Sequence, residues 1–162
     1  PYQWGSNMAH DVDATSAQLE HGALKYQAGT PNVSGPVGLA AAIDVLEGIG
    51  FEALARHDRM LVEHAARRFA EIKGLRVLGT LSPSARRVPV FAFTLGAIPI
   101  PRIVEAMDAK GIAIRGGDMA ALPLLRRYGA TVVARASLYL YSTTGEIDRF
   151  AEVLRGLSSA NA

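Results

Sequence analysis

The 162-residue chain is 49% hydrophobic and 20% charged, and 17 Lys and Arg against 15 Asp and Glu leave a formal net charge of +2. That size and balance suit one globular domain with a real core and exclude a disordered chain, while basic residues dispersed rather than interleaved with aromatics argue against a nucleic-acid surface. The absence of cysteine removes disulfides, thiolate metal sites and thiol nucleophiles together. The four histidines repeat no metal-ligand spacing. No apolar run approaches the roughly 20 residues of a membrane span, and no leader-like stretch opens the chain. It reads as a cytosolic, soluble protein.

Residues 1–28 lack a sustained period and read as loop with short strands, 24–27 being the best strand candidate. Next comes Tyr-Gln-Ala-Gly-Thr-Pro-Asn at 26–32. Gly29 permits unusual backbone angles, Thr30 offers a hydroxyl and an N–H, and Pro31 fixes a turn ahead of a helix whose first amides lack partners. A phosphate fits such a place; an ordinary loop with a helix cap is the plainer account. Residues 35–48 read as a largely buried helix, and 51–73 as a long amphipathic helix ended by Gly74.

Residues 75–78 and 88–95 follow as strands, joined by a polar loop over 82–87. The second is apolar in both phases and is expected to be buried on both faces. A short helix over 100–110 leads to an apolar strand over 112–114 that ends at Arg115. A Gly116-Gly117 turn and partly helical 119–128 precede a strand over 131–140. A helix over 143–157, capped by Thr143 or Thr144, closes the chain. The pattern predicts an α+β fold, an antiparallel-type sheet with helices packed on one side.

Arg135 stands among Val132, Val133, Ala134, Ala136, Leu138 and Leu140. A guanidinium in such a strand needs a carboxylate or phosphate partner, and its planar fork matches a carboxylate in bidentate geometry. The partner is either a ligand or an internal carboxylate such as Asp118, unless the strand is an exposed edge.

Three motifs occur in order: Ala-Gly-Thr-Pro-Asn at 28–32, Ile-Arg-Gly-Gly-Asp-Met-Ala-Ala-Leu-Pro-Leu at 114–124, and Ala-Arg-Ala-Ser-Leu-Tyr at 134–139. Together they resemble the C-terminal part of class V aminotransferases, the fold-type-I pyridoxal-phosphate enzymes, in the cysteine desulfurase and selenocysteine lyase branch. The resemblance implies that residues 1–34 close a large domain and 35–162 form a linking helix and the C-terminal small domain. It implies pyridoxal 5'-phosphate as cofactor and an amino-acid substrate. Arg135 matches the arginine that grips the substrate α-carboxylate, and Arg115 the one preceding the active-site turn. Thr30 matches a cofactor-phosphate contact made across a homodimer interface, with Gly29 contributing backbone and Asn32 lying beside it.

Two departures qualify that resemblance. None of Lys25, Lys73 and Lys110 has the setting of the cofactor-holding lysine, so the chain resembles a fragment and is expected to be inactive alone, with apolar surface near Tyr2, Trp4, Leu24 and Pro36 uncovered. Ala120 stands where the branch presents its sulfur-accepting cysteine. Persulfide chemistry is therefore not expected, and elimination, transamination or epimerisation remain. The alternatives are a non-catalytic relative keeping the fold for dimerisation or ligand binding, and a stand-alone binding domain in which Gly29-Thr30 and Arg135 are unrelated.

Overall fold

Local hydrogen bonds shape the first compact unit, Pro1–Ile49, of the computed structural model, which describes residues 1–82 and 87–160. Residues 83–86 of the expected polar loop therefore lie outside the described residues. Strands β1 (Ala9–Val12) and β2 (Ala17–Leu19) form an antiparallel hairpin with Ala9 opposite Leu19. The Asp13 carboxylate accepts from the N–H groups of Thr15 and Ser16, both at 2.7 Å, and from their hydroxyls. Those donors, the backbone ones first, hold its pKa down at about 2.

The strand expected over 24–27 is instead a 3-10 turn, Leu24–Tyr26, closed by Gln27 N–H to the Leu24 carbonyl at 3.0 Å. No neighbouring strand takes up its backbone groups, so they close locally. Helix α1 (Ser34–Ile49) forms as expected, but none of its residues is buried. Val37, Leu39 and Val45 stand exposed. Apolar composition states what a helix would bury; burial itself requires neighbours on several sides.

The second unit, Gly50–Ala162, begins with α2 (Phe51–Ala70), whose Leu61, Val62, Ala65 and Phe69 form its buried stripe. Strands β3 (Leu75–Val77) and β4 (Val90–Leu95), helix α3 (Ile100–Asp108), strand β5 (Arg115–Gly117), helix α4 (Leu122–Arg127), strand β6 (Val133–Ser137) and helix α5 (Thr144–Ala160) follow. The four strands make one antiparallel sheet in the order β3-β4-β6-β5. Two expectations shift here. The strand expected over 112–114 lies three residues later, at Arg115–Gly117, because pairing with β6 sets its limits while Ile112 and Ile114 pack partly against the core. Only one face of β4 is fully buried: Phe91, Phe93 and Leu95 are inside, whereas Val90, Ala92 and Thr94 are half-buried.

The asymmetry follows from what covers each face. The buried face of β4 packs with residues of α2, α3 and α5 in a single core. Phe69 meets Phe91 edge-on at 5.2 Å between ring centroids, and Phe93 meets Phe150 edge-on at 5.7 Å, geometries that favour the ring quadrupoles. On the other face a small cluster joins Leu78, Leu125 of α4 and Val133, with Ala92 against it. Helix α5 opens on a capping box: Thr143 Oγ1 accepts from the Glu146 N–H at 3.3 Å and the Glu146 carboxylate accepts from the Thr143 N–H at 2.7 Å.

Two features yield predictions. Gly116 faces α3, and a Cβ there would lie 2.9 Å from Val104 Cγ2 and 3.0 Å from Ile100 Cγ2. Gly116→Ala should therefore cost about 1–3 kcal/mol in urea unfolding, and Val104→Ala added to it should cost less than the two single losses summed. Helices α2 and α5 are joined at Asp148, whose Oδ1 accepts from His64 Nε2 at 2.8 Å. Arg68 Nε lies 2.7 Å from the same oxygen, an ion pair rather than an aligned hydrogen bond.

The His64 hydrogen bond, and after it the charges of His64 and Arg68, outweigh desolvation and hold the Asp148 carboxyl below its ordinary 3.8. A depressed folded-state pKa contributes stability that is present above the unfolded value and is lost as pH falls through the folded one. Asp148→Asn should flatten stability against pH in the range below about 4, as read from urea midpoints; an unchanged acid limb would show that the pair does not contribute.

Candidate functional site

The pleat of β6 separates structure from chemistry. Ala134 and Ala136 are buried in the main core, opposite Phe93 and Phe91 of β4. Arg135 lies between them, opposite Ala92 of β4 on one side and Arg115 of β5 on the other. Directly opposed residues of an antiparallel pair point to the same face, with Cβ atoms about 4.5–5.5 Å apart. Arg115 and Arg135 therefore stand side by side on the sheet face turned away from the main core.

Among the described residues nothing neutralises either guanidinium. Among the described residues no carboxylate lies within ion-pair distance of either, and Arg135 Nε is buried without a hydrogen-bond partner. Both internal explanations for Arg135 fail. Asp118 spends a carboxylate oxygen on the Ala120 N–H at 3.0 Å, and β6 is an inner strand with neighbours on both edges. Arg76, paired with Thr94 across β3 and β4, is committed differently: its Nη2 donates to the Tyr128 carbonyl at the end of α4. Two adjacent like charges with an orphaned buried donor form a place that an anion completes.

The turn after β5 borders this face. Met119 and Ala120 both take left-handed backbone angles, φ 56° and 51°, unusual for residues with a Cβ and of the kind that gathers at functional sites. Met119 packs against the Leu78, Leu125 and Val133 cluster, and Ala120 is exposed. This strain was invisible in the sequence, because neither residue signals the conformation. The pairing of Arg115 with Arg135 has no local signal either, because the apolar residues that suggest a strand end at Ile114, three residues short of where β5 ends.

The other predicted residues gather in the first unit. Gly29 has φ 90° and its N–H points to the Gly5 carbonyl at 3.4 Å. Thr30 is exposed, and its hydroxyl and N–H have no partner among the described residues. Asn32 caps α1, its Oδ1 accepting from the Gly35 N–H at 3.1 Å and the Ser34 hydroxyl at 2.9 Å. A groove of about 710 Å³ beside α3 and β5 is lined by Ile100, Val104, Ile112 and Ile114, with only acidic Glu105 and Asp108 as charged groups, and so has nothing to grip an anion. Among the described residues no group of three or more His, Asp or Glu side chains could hold a metal, and no helix is long and apolar enough to cross a membrane.

An antiparallel sheet backed by helices is the α+β arrangement of the small domain of fold-type-I enzymes, and solved relatives share it. The sequence profile of the family Aminotransferase class-V matches residues 1–150. The chain belongs to the class-V aminotransferase family. A probable cysteine desulfurase of Streptomyces coelicolor is 38% identical over 154 residues, covering 95% of this chain and 37% of the relative. The apo cysteine desulfurase of Thermococcus onnurineus NA1 superposes with a TM-score of 0.87 at 26% identity, covering 99% of this chain and 40% of that one. The Escherichia coli cysteine desulfurase CsdA gives 0.84 at 28% identity, covering 98% and 39%. The chain thus spans well under half the length of the relatives it matches.

The unpaired arginines carry a stability prediction. Arg135→Met should stabilise Gly50–Ala162 by up to about 1 kcal/mol in calorimetric unfolding, because it removes a like-charge neighbour and an orphaned donor. A clear destabilisation would mean that the guanidinium already has an internal partner.

Proposed function

We propose that this chain is the substrate-gripping, C-terminal portion of a pyridoxal-phosphate-dependent enzyme that acts on an amino acid, working as a cytoplasmic homodimer. The observation that carries this reading is Arg135: a guanidinium on an inner strand, with a buried Nε that no group among the described residues satisfies. An α-carboxylate would supply two parallel charge-assisted hydrogen bonds to it. Held that way, the substrate is oriented before any bond is broken, which is how a positioning contact lowers a barrier. Arg115, exposed beside it, adds positive potential to the same face.

The residues of the N-terminal turn fit the cofactor's phosphate. Thr30 offers an N–H and a hydroxyl with no other partner among the described residues, and Gly29 leaves open space where a side chain would stand. In this reading Thr30 reaches the phosphate across the dimer interface, while Asn32, its carbonyl engaged at the start of α1, keeps the turn in shape. The cofactor, when bound, supplies the electron sink for chemistry at the substrate α-carbon. The lysine that would hold it has no counterpart among Lys25, Lys73 and Lys110.

The relatives described above are cysteine desulfurases, probable or established, but Ala120 occupies the sulfur-accepting position implied by the resemblance. A methyl group has no lone pair with which to take sulfur. The reading therefore favours a lyase, transaminase or epimerase reaction over persulfide formation. Ala120 also favours a second reading, a non-catalytic relative that keeps the fold for dimerisation or ligand binding.

Absorbance titration with pyridoxal phosphate separates the two, performed on this chain and on the longest polypeptide its gene encodes. The expected result is a visible cofactor band in the longer polypeptide only, and in that protein Arg135→Ala should weaken amino-acid binding by at least about 30-fold while the band persists. No cofactor binding by either version would favour the non-catalytic reading, and turnover by the isolated chain would overturn the assignment of roles.

A further inference from the structure

We draw no further inference here: the strongest candidate, the apolar groove beside α3 and β5 lined by Ile100, Val104, Ile112 and Ile114, carries nothing because nothing in the structure shows what covers it.

Discussion

Strand β6 is hydrogen-bonded along both edges, to β4 and to β5, and the rest of the second unit is arranged around that double pairing. Its alternate side chains go to opposite faces. Ala134 and Ala136 are small enough to let Phe91 and Phe93 of β4 fill the core beside them, and those rings are clasped by Phe69 of α2 and Phe150 of α5. The same pleat leaves Arg135 no choice of face. A one-residue slip would drive the guanidinium into the aromatic core and expose the alanines, so the burial of the phenylalanines and the presentation of the arginine are enforced by one register.

Opposing pressures meet on the open face. Packing favours neutral side chains there, as the Leu78, Leu125 and Val133 cluster nearby illustrates, yet the register brings Arg115 against Arg135 with no internal carboxylate between them. The turn beyond β5 adds two residues with left-handed angles. Unpaired like charges and local backbone strain both oppose folding, and the aromatic core on the other side of the sheet offsets them. Proteins tolerate such features where a ligand completes them, which is why this face, rather than the apolar groove beside α3, is read as the site.

The first unit follows a different logic. Its hairpin and its helix start are held by Asp13 and Asn32, side chains that satisfy neighbouring backbone donors, and Met8 is its single fully buried hydrophobic residue among those described. Helix α1 is largely apolar, with Asp44 and Glu47 its only charged residues, and none of its residues is buried. In relatives such as the Streptomyces coelicolor protein the matching region is about 37% of the length, so most of what surrounds such a region in the relatives has no counterpart in this chain.

Much of the architecture was legible because it rests on short-range rules. The stripe of Leu61, Ala65 and Phe69 marked α2, Gly74 its end, Thr143 and Glu146 the start of α5, and an arginine in an apolar run marked a candidate site; each signal is carried by residues close in sequence. The Arg115–Arg135 juxtaposition joins residues twenty apart, and no local pattern shows which residues will face one another. Pairing with β6 placed β5 at Arg115–Gly117 rather than over the more apolar residues before it. The covering helices decided which face of β4 is buried, and local closure turned 24–27 into a 3-10 turn. Sequence by itself determined the elements, the family motifs and the candidate arginines, because propensity, periodicity and capping are local; only the tertiary structure decided the strand register, the buried faces and the pairing of two cations, because those depend on hydrogen bonds and contacts between distant segments.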